Sequence, residues 1–159
     1  MRRWPSFFRA VDGRTRRVPT ILDPYELQRF VDAQEGVYER ARAELRAGRK
    51  ESHWMWYIFP QIKGLGLSPM AQRYAISSID EARAYLAHPL LGPRLRECCR
   101  LVASADSNSI EDIFGFPDNL KFHSSATLFA QAGADNQVFL DALQKYFRAE
   151  FDGKTLRQL

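Results

Sequence analysis

Long apolar runs are missing from this chain: no stretch approaches the ~20 residues that a bilayer-spanning helix needs, which excludes a membrane-anchored reading by that route. Arg2-Arg3 resembles a twin-arginine export signal, but the chain continues through Val11-Asp12-Gly13-Arg14-Thr15-Arg16-Arg17 instead of an apolar segment, so export is not expected. Cysteine is nearly absent. Cys98 and Cys99 are adjacent on an expected helix, where neighbouring side chains diverge by about 100°. They are read as two reduced, half-buried thiols, as suits a cytoplasmic protein, and not as a disulfide or a zinc pair. Histidine is limited to His53, His88 and His123, with no i, i+4 pair, so no metal site is expected. There is no P-loop, no G-x-G-x-x-G, no H-E-x-x-H and no G-x-S-x-G, and none of the cofactors those motifs bind is expected. Internal repeats and low-complexity segments are lacking as well.

What is present is core material. Hydrophobic residues make up 45% of the 159, with 11 Phe, 6 Tyr and 3 Trp, enough to build a packed interior. The charge is unevenly spread. Of 23 basic and 19 acidic residues, six arginines and Asp12 fall within residues 1–20, which therefore carry +5 and leave the remainder at −1. Residues 1–21 are expected to form a basic N-terminal extension and residues 22–159 a single helical domain. Nucleic acid is not an expected partner except through that Arg-rich extension.

Caps and breaks predict the elements. Asp23-Pro24 with Glu26 reads as a capping box opening a helix through Leu27, Phe30 and Val31. Gly36 separates it from a second helix, carried by Val37, Ala41 and Leu45 and ended by Gly48. His53 to Phe59 is apolar all round, and periodicity leaves strand and short helix open. Ser68-Pro69, Ser78 with Glu81, and His88-Pro89 each start a further helix. Ser109 starts a short turn, Asp118 caps a helix ended by Gly133, and Phe139, Leu143 and Phe147 line a last one. The expectation is an all-α domain of roughly seven helices with at most one short strand.

Two segments carry more chemistry than a plain core requires. In the first, His53, Trp54, Trp56 and Gln61 offer flat aromatic surfaces with polar tips, suited to stacking on a base or sugar. The structural alternative makes both tryptophans core anchors and bonds His53 to a backbone carbonyl. In the second, Lys121, Ser124, Ser125 and Leu128 share a helix face whose local sequence offers a cation and two hydroxyls without a carboxylate, a pattern that can grip an anion. Its alternative is a solvated face, or hydroxyls bonded one turn back. His123 lies in the same segment.

These blocks also carry a resemblance. Asp23 to Gln34, Ser52 to Gln61, Gln72 to Ile76, Tyr85 to Gly92 and Leu120 to Ser125 occur in the order seen in the family catalogued as domain of unknown function 1810, which the chain resembles from about residue 22 to its end. The resemblance implies a compact multihelical domain of the bacterial and mycobacterial protein world, and no activity. Members are sometimes labelled calpastatin, but such inhibitors are disordered repeat chains, unlike this capped, aromatic-rich one.

Together the residues point to a cytoplasmic protein that binds or processes a small polar metabolite, a nucleotide or sugar phosphate. Its expected site is lined by His53, Trp54, Trp56, Gln61, Lys121, His123, Ser124 and Ser125. Should it hydrolyse its ligand, His53 or His123 is the expected general base. The alternative is a protein-interaction module without catalysis, with both tryptophans in the core and an exposed apolar patch elsewhere.

Overall fold

Side-chain caps and glycine stops cut the chain into ten α-helices among residues 23–159, the part that the computed structural model describes. They are α1 (Gln28–Gln34), α2 (Tyr38–Arg46), α3 (Met55–Ile58), α4 (Pro69–Arg73), α5 (Ile79–Ala87), α6 (Leu91–Ala103), α7 (Ile110–Phe114), α8 (Asp118–Ala132), α9 (Gln137–Phe147) and α10 (Gly153–Arg157). The all-α expectation holds. The only strand-like pairing among the described residues is one isolated parallel bridge, Ile62 with Ile76. The basic extension, residues 1–21, lies outside the described residues.

Several expected signals act as read. Ser68 accepts from the Ala71 amide with Pro69 in the first turn of α4, and Ser78 accepts from the Glu81 amide to open α5. Gly36 and Gly48 take φ of 75° and 81°, the left-handed backbone that ends α1 and α2. Cys98 and Cys99 are free, as expected, but fully buried and not half-buried.

Two starts differ. Asp23 does not sit at the first helix boundary, because residues 23–26 close a turn of their own and Glu26 takes φ +53°. The Asp23 carboxylate still reaches forward to the Leu27 and Gln28 amides, at 2.8 and 3.0 Å, so it caps α1 from one turn away. Asp118 is not the cap of α8. Pro117 occupies that position, and the Asp118 carboxylate is drawn to lysines instead. The ambiguous aromatic segment resolves as a single helical turn, α3.

Helix α8 runs through the middle and contacts α5, α7, α9 and α10. Ten of its fifteen residues are buried, among them Ser124, Ser125 and Leu128, so the solvated-face alternative fails over most of its length. Its Phe122 ring meets Phe59 edge to face at 5.0 Å and stacks on Phe114 at 5.1 Å. Phe129 meets Tyr85 at 5.3 Å. Edge-to-face and offset aromatic pairs of this kind add about 0.5–1.5 kcal/mol each beyond area burial. They fix α8 against α3, α5 and α7, and so fix the side chains that α8 presents near its N-terminus.

Candidate functional site

The Ser52–Trp54 turn is held by one carboxylate. Glu44, on α2, accepts from the amides of Glu51 and Ser52, from the Ser52 hydroxyl at 2.6 Å and from Trp54 Nε1 at 2.8 Å. Burial opposes the charge on Glu44, but these four donors outweigh it and hold the carboxyl at about 2. On the far side the Tyr57 hydroxyl donates to the His53 carbonyl at 3.3 Å. His53 is thereby fixed at its backbone and left exposed to solvent. The alternative that bonds His53 to a backbone carbonyl is not met, since its ring makes no such bond among the described residues.

Trp54 and Trp56 part company. Trp54 is fully buried, against Phe59 and Phe114. Trp56 is half-buried, and the Lys121 ammonium lies 5.4 Å from its ring centroid. The two segments singled out by the sequence therefore meet at Trp56 and Lys121. Gln61, two residues beyond the end of α3's cap, is half-buried, and its backbone carbonyl receives the Ile76 amide at 2.8 Å.

Lys121 is not without a carboxylate, contrary to the expectation for its face. Asp118 lies 3.5 Å away at i−3. The same Asp118 takes Lys50 at 2.9 Å, and Lys50 is nearly buried, with its ammonium 5.1 Å from the Trp54 ring. Two ammoniums thus share one carboxylate, each beside a tryptophan. The Lys50 backbone is tied down by its own amide, which donates to the Ile113 carbonyl at 2.7 Å.

The other expected residues of α8 divide. Ser125 follows Lys121 by one turn on the same face. It is 1% exposed, and its hydroxyl has no hydrogen-bond partner among the described residues. Ser124 donates to the Leu120 carbonyl and to Asp152, which caps α10, so it ties α8 to that helix. His123 is two residues from Lys121, roughly 200° around the helix. Its ring stacks on Phe147 at 3.9 Å, and its Nε2 lies 2.8 Å from the Glu150 carbonyl. The structure brings Trp56 and Lys121 together, buries Ser125 one turn further along α8, leaves His53 exposed nearby in the chain, and sends His123 and Trp54 elsewhere.

Sequence reasoning missed Lys50, Asp118 and Glu44. For Asp118 a signal was available, since Asp118 and Lys121 stand at i, i+3 on one helix. Glu44 carries no local signal, because its four donors come from a turn seven to ten residues away. Among the described residues no group of three or more His, Cys, Asp or Glu side chains is arranged to hold a metal ion, and no helix is long and apolar enough to cross a membrane.

Comparison with known proteins gives two matches. Residues 24–159 match a family model described as protein of unknown function (DUF1810). Among solved structures the chain is similar to the conserved hypothetical protein Rv1873 from Mycobacterium tuberculosis, at 56% identity and a TM-score of 0.84. The match covers 86% of this chain and 97% of that one. No curated protein matches it.

Proposed function

The chain belongs to the DUF1810 family of proteins of unknown function, and from the geometry alone we propose that it binds a small anionic metabolite, a nucleotide or sugar phosphate, where Trp56 and Lys121 meet. The observation that carries this reading is the sharing of Asp118 by Lys50 and Lys121. One carboxylate cannot neutralise two ammoniums, so a positive charge is left over in a place partly withdrawn from water, where a phosphate is attracted more strongly than at an open surface. Trp56 supplies the flat apolar surface for a base or sugar ring, and a ring there would lie beside the cation. Ser125 supplies a hydroxyl that no other described group uses. Were the ligand processed, His53 is the favoured acid–base group, since His123 is occupied by Phe147 and the Glu150 carbonyl.

The rival reading, a protein-interaction surface, draws on one observation. Phe116 and Leu120, which flank Asp118 in the chain, are 78% and 52% exposed. A thermal-shift series separates the two. Inorganic phosphate, nucleoside monophosphates and hexose phosphates are titrated against the wild type and Lys121→Ala. A ligand held only by the folded protein raises its melting temperature as concentration exceeds Kd. Lys121→Ala is expected to keep the fold, losing about 1 kcal/mol or less for one part-exposed pair and one cation–π contact, and to lose the ligand-induced rise. A rise that survives in Lys121→Ala, or no rise with any of these ligands, removes the support for this site.

A further inference from the structure

A cleft lies between α6 and α9, and neither Trp56 nor Lys121 lines it. Its volume is about 500 Å³, within the range of small-ligand sites. Arg96 and Arg100 on α6 and Ser104 at its C-terminal cap stand at intervals of four and line one wall as a single stripe. Asp135 and Asp141 line the other, with Ala103 and Val138 as the apolar part between.

The opposite charges face each other and are only loosely paired. Arg96 Nε forms an ion pair with Asp135 at 3.7 Å, longer than a hydrogen bond, and the same guanidinium donates through Nη1 to the Leu86 carbonyl at 3.4 Å. That Nε is buried and has no hydrogen-bond partner among the described residues. Arg100 turns along its own helix to Glu97 at 2.8 Å, and Asp141 accepts from Gln137 along its own helix at 2.8 Å. A guanidinium stripe and a carboxylate stripe therefore line opposite walls, joined across the apolar strip only by that one long pair. Two arginines against two aspartates give the lining no net charge, so a phosphate dianion gains nothing from one wall that the other does not take back.

We propose that this cleft binds a small zwitterion, a free α-amino acid or dipeptide, with its carboxylate on Arg96 and Arg100 and its ammonium on Asp135 and Asp141. Both ligand charges then meet the opposite sign, and the aliphatic part lies over Ala103 and Val138. The buried Arg96 Nε gains the acceptor it lacks, which removes the penalty of a buried donor left without a partner.

The test uses the full chain and amide correlation spectra. The twenty free amino acids and alanyl-alanine are added singly at millimolar concentration. At least one is expected to shift the α6 and α9 amides of residues 96–104 and 135–141. Its N-acetyl and carboxamide derivatives, each lacking one charge, are then expected to bind at least tenfold more weakly. Arg100→Gln and Asp141→Asn, both at exposed positions, are expected to keep the wild-type spectrum elsewhere and to lose at least tenfold in affinity. If none of the probes shifts these amides, or if either blocked derivative binds as well as its parent, the proposal is wrong. Should either variant lose its dispersed spectrum, Arg100→Lys, which keeps the cation, must bind within a few-fold of wild type, and a failure there also overturns it.

Discussion

Trp54 and Trp56 are two residues apart and set in opposite surroundings, so their replacement separates packing from recognition. Trp54 is wholly enclosed and hydrogen-bonded through its indole to Glu44. Trp54→Ala is expected to cost about 3–5 kcal/mol, the range for a large aromatic removed from a core, read by urea unfolding. Trp56 has a face not enclosed by the core, so Trp56→Ala is expected to cost clearly less and to abolish the phosphate-dependent rise in melting temperature. Equal costs for the two would make Trp56 plain core. Glu44 gives a second residue-scale test, through pH. Folding lowers its carboxyl from 4.5 to about 2. The stabilisation is therefore complete above about 4.5 and is lost as pH falls towards 2. In Glu44→Gln that contribution is gone at every pH. The wild type is expected to exceed the variant in unfolding free energy at pH 6, and the gap is expected to close by about pH 2. A gap that persists unchanged at pH 2 would mean that the carboxylate charge is not what holds the turn.

At the scale of elements, the short C-terminal helix α10 depends on one side chain. Asp152 accepts from the Thr155 amide, the Thr155 hydroxyl and Ser124, and so caps α10 while fastening it to α8. Asp152→Ala is expected to cost about 1–2 kcal/mol, the upper part of the range for a lost cap, with amide exchange at residues 153–157 accelerated well before the rest of the chain. Uniform acceleration would show α10 to be part of the main cooperative unit. This helix also marks where sequence reading stops. Caps that act within four residues were legible: Ser68, Ser78 and the glycine stops all work as their spacing predicts. Asp152 uses the same chemistry, but only five helical residues follow it, too few for an apolar period to emerge. The aromatic turn α3 was undecidable for a related reason, since a segment buried on nearly every side has no polar face to reveal its period. The candidate site was half legible. Trp56 and Lys121, taken from separate segments, lie 5.4 Å apart, whereas His123, grouped with Lys121 by proximity in sequence, is turned away by the helix itself, and Ser124, placed on the Lys121 face by helical spacing, is taken up by the Leu120 carbonyl and Asp152. Lys50 was unreadable, because its partner Asp118 is 68 positions on, brought near only by the packing of α8 and by the tie to Ile113.

For the whole molecule, the net charge of +4 gives a misleading picture of where an anion should bind. All of the excess lies in the first 20 residues, and the chain from residue 23 onward carries −1. Two explanations of phosphate binding follow, and they predict opposite results. If the arginines of the N-terminal segment attract the anion, binding is a general effect of basic chain, weakens steeply with salt and disappears when residues 1–22 are removed. If the Lys50–Asp118–Lys121 cluster does so, binding depends on a local potential that net charge does not measure. The described helices contain the cluster and the aromatic core that fixes it, so a chain beginning at residue 23 has what the site requires. This shortened chain, although net negative, is expected to melt within a few degrees of the full one. It is expected to keep most of the stabilisation by phosphate or nucleotide, and to lose it on Lys121→Ala. Thermal shifts at low and moderate salt, on the full chain, the shortened chain and the shortened Lys121→Ala variant, measure all of this together. Loss of the stabilisation on truncation alone, with the fold retained, would assign the anion to the arginine-rich segment and leave Trp56 and Lys121 without a ligand.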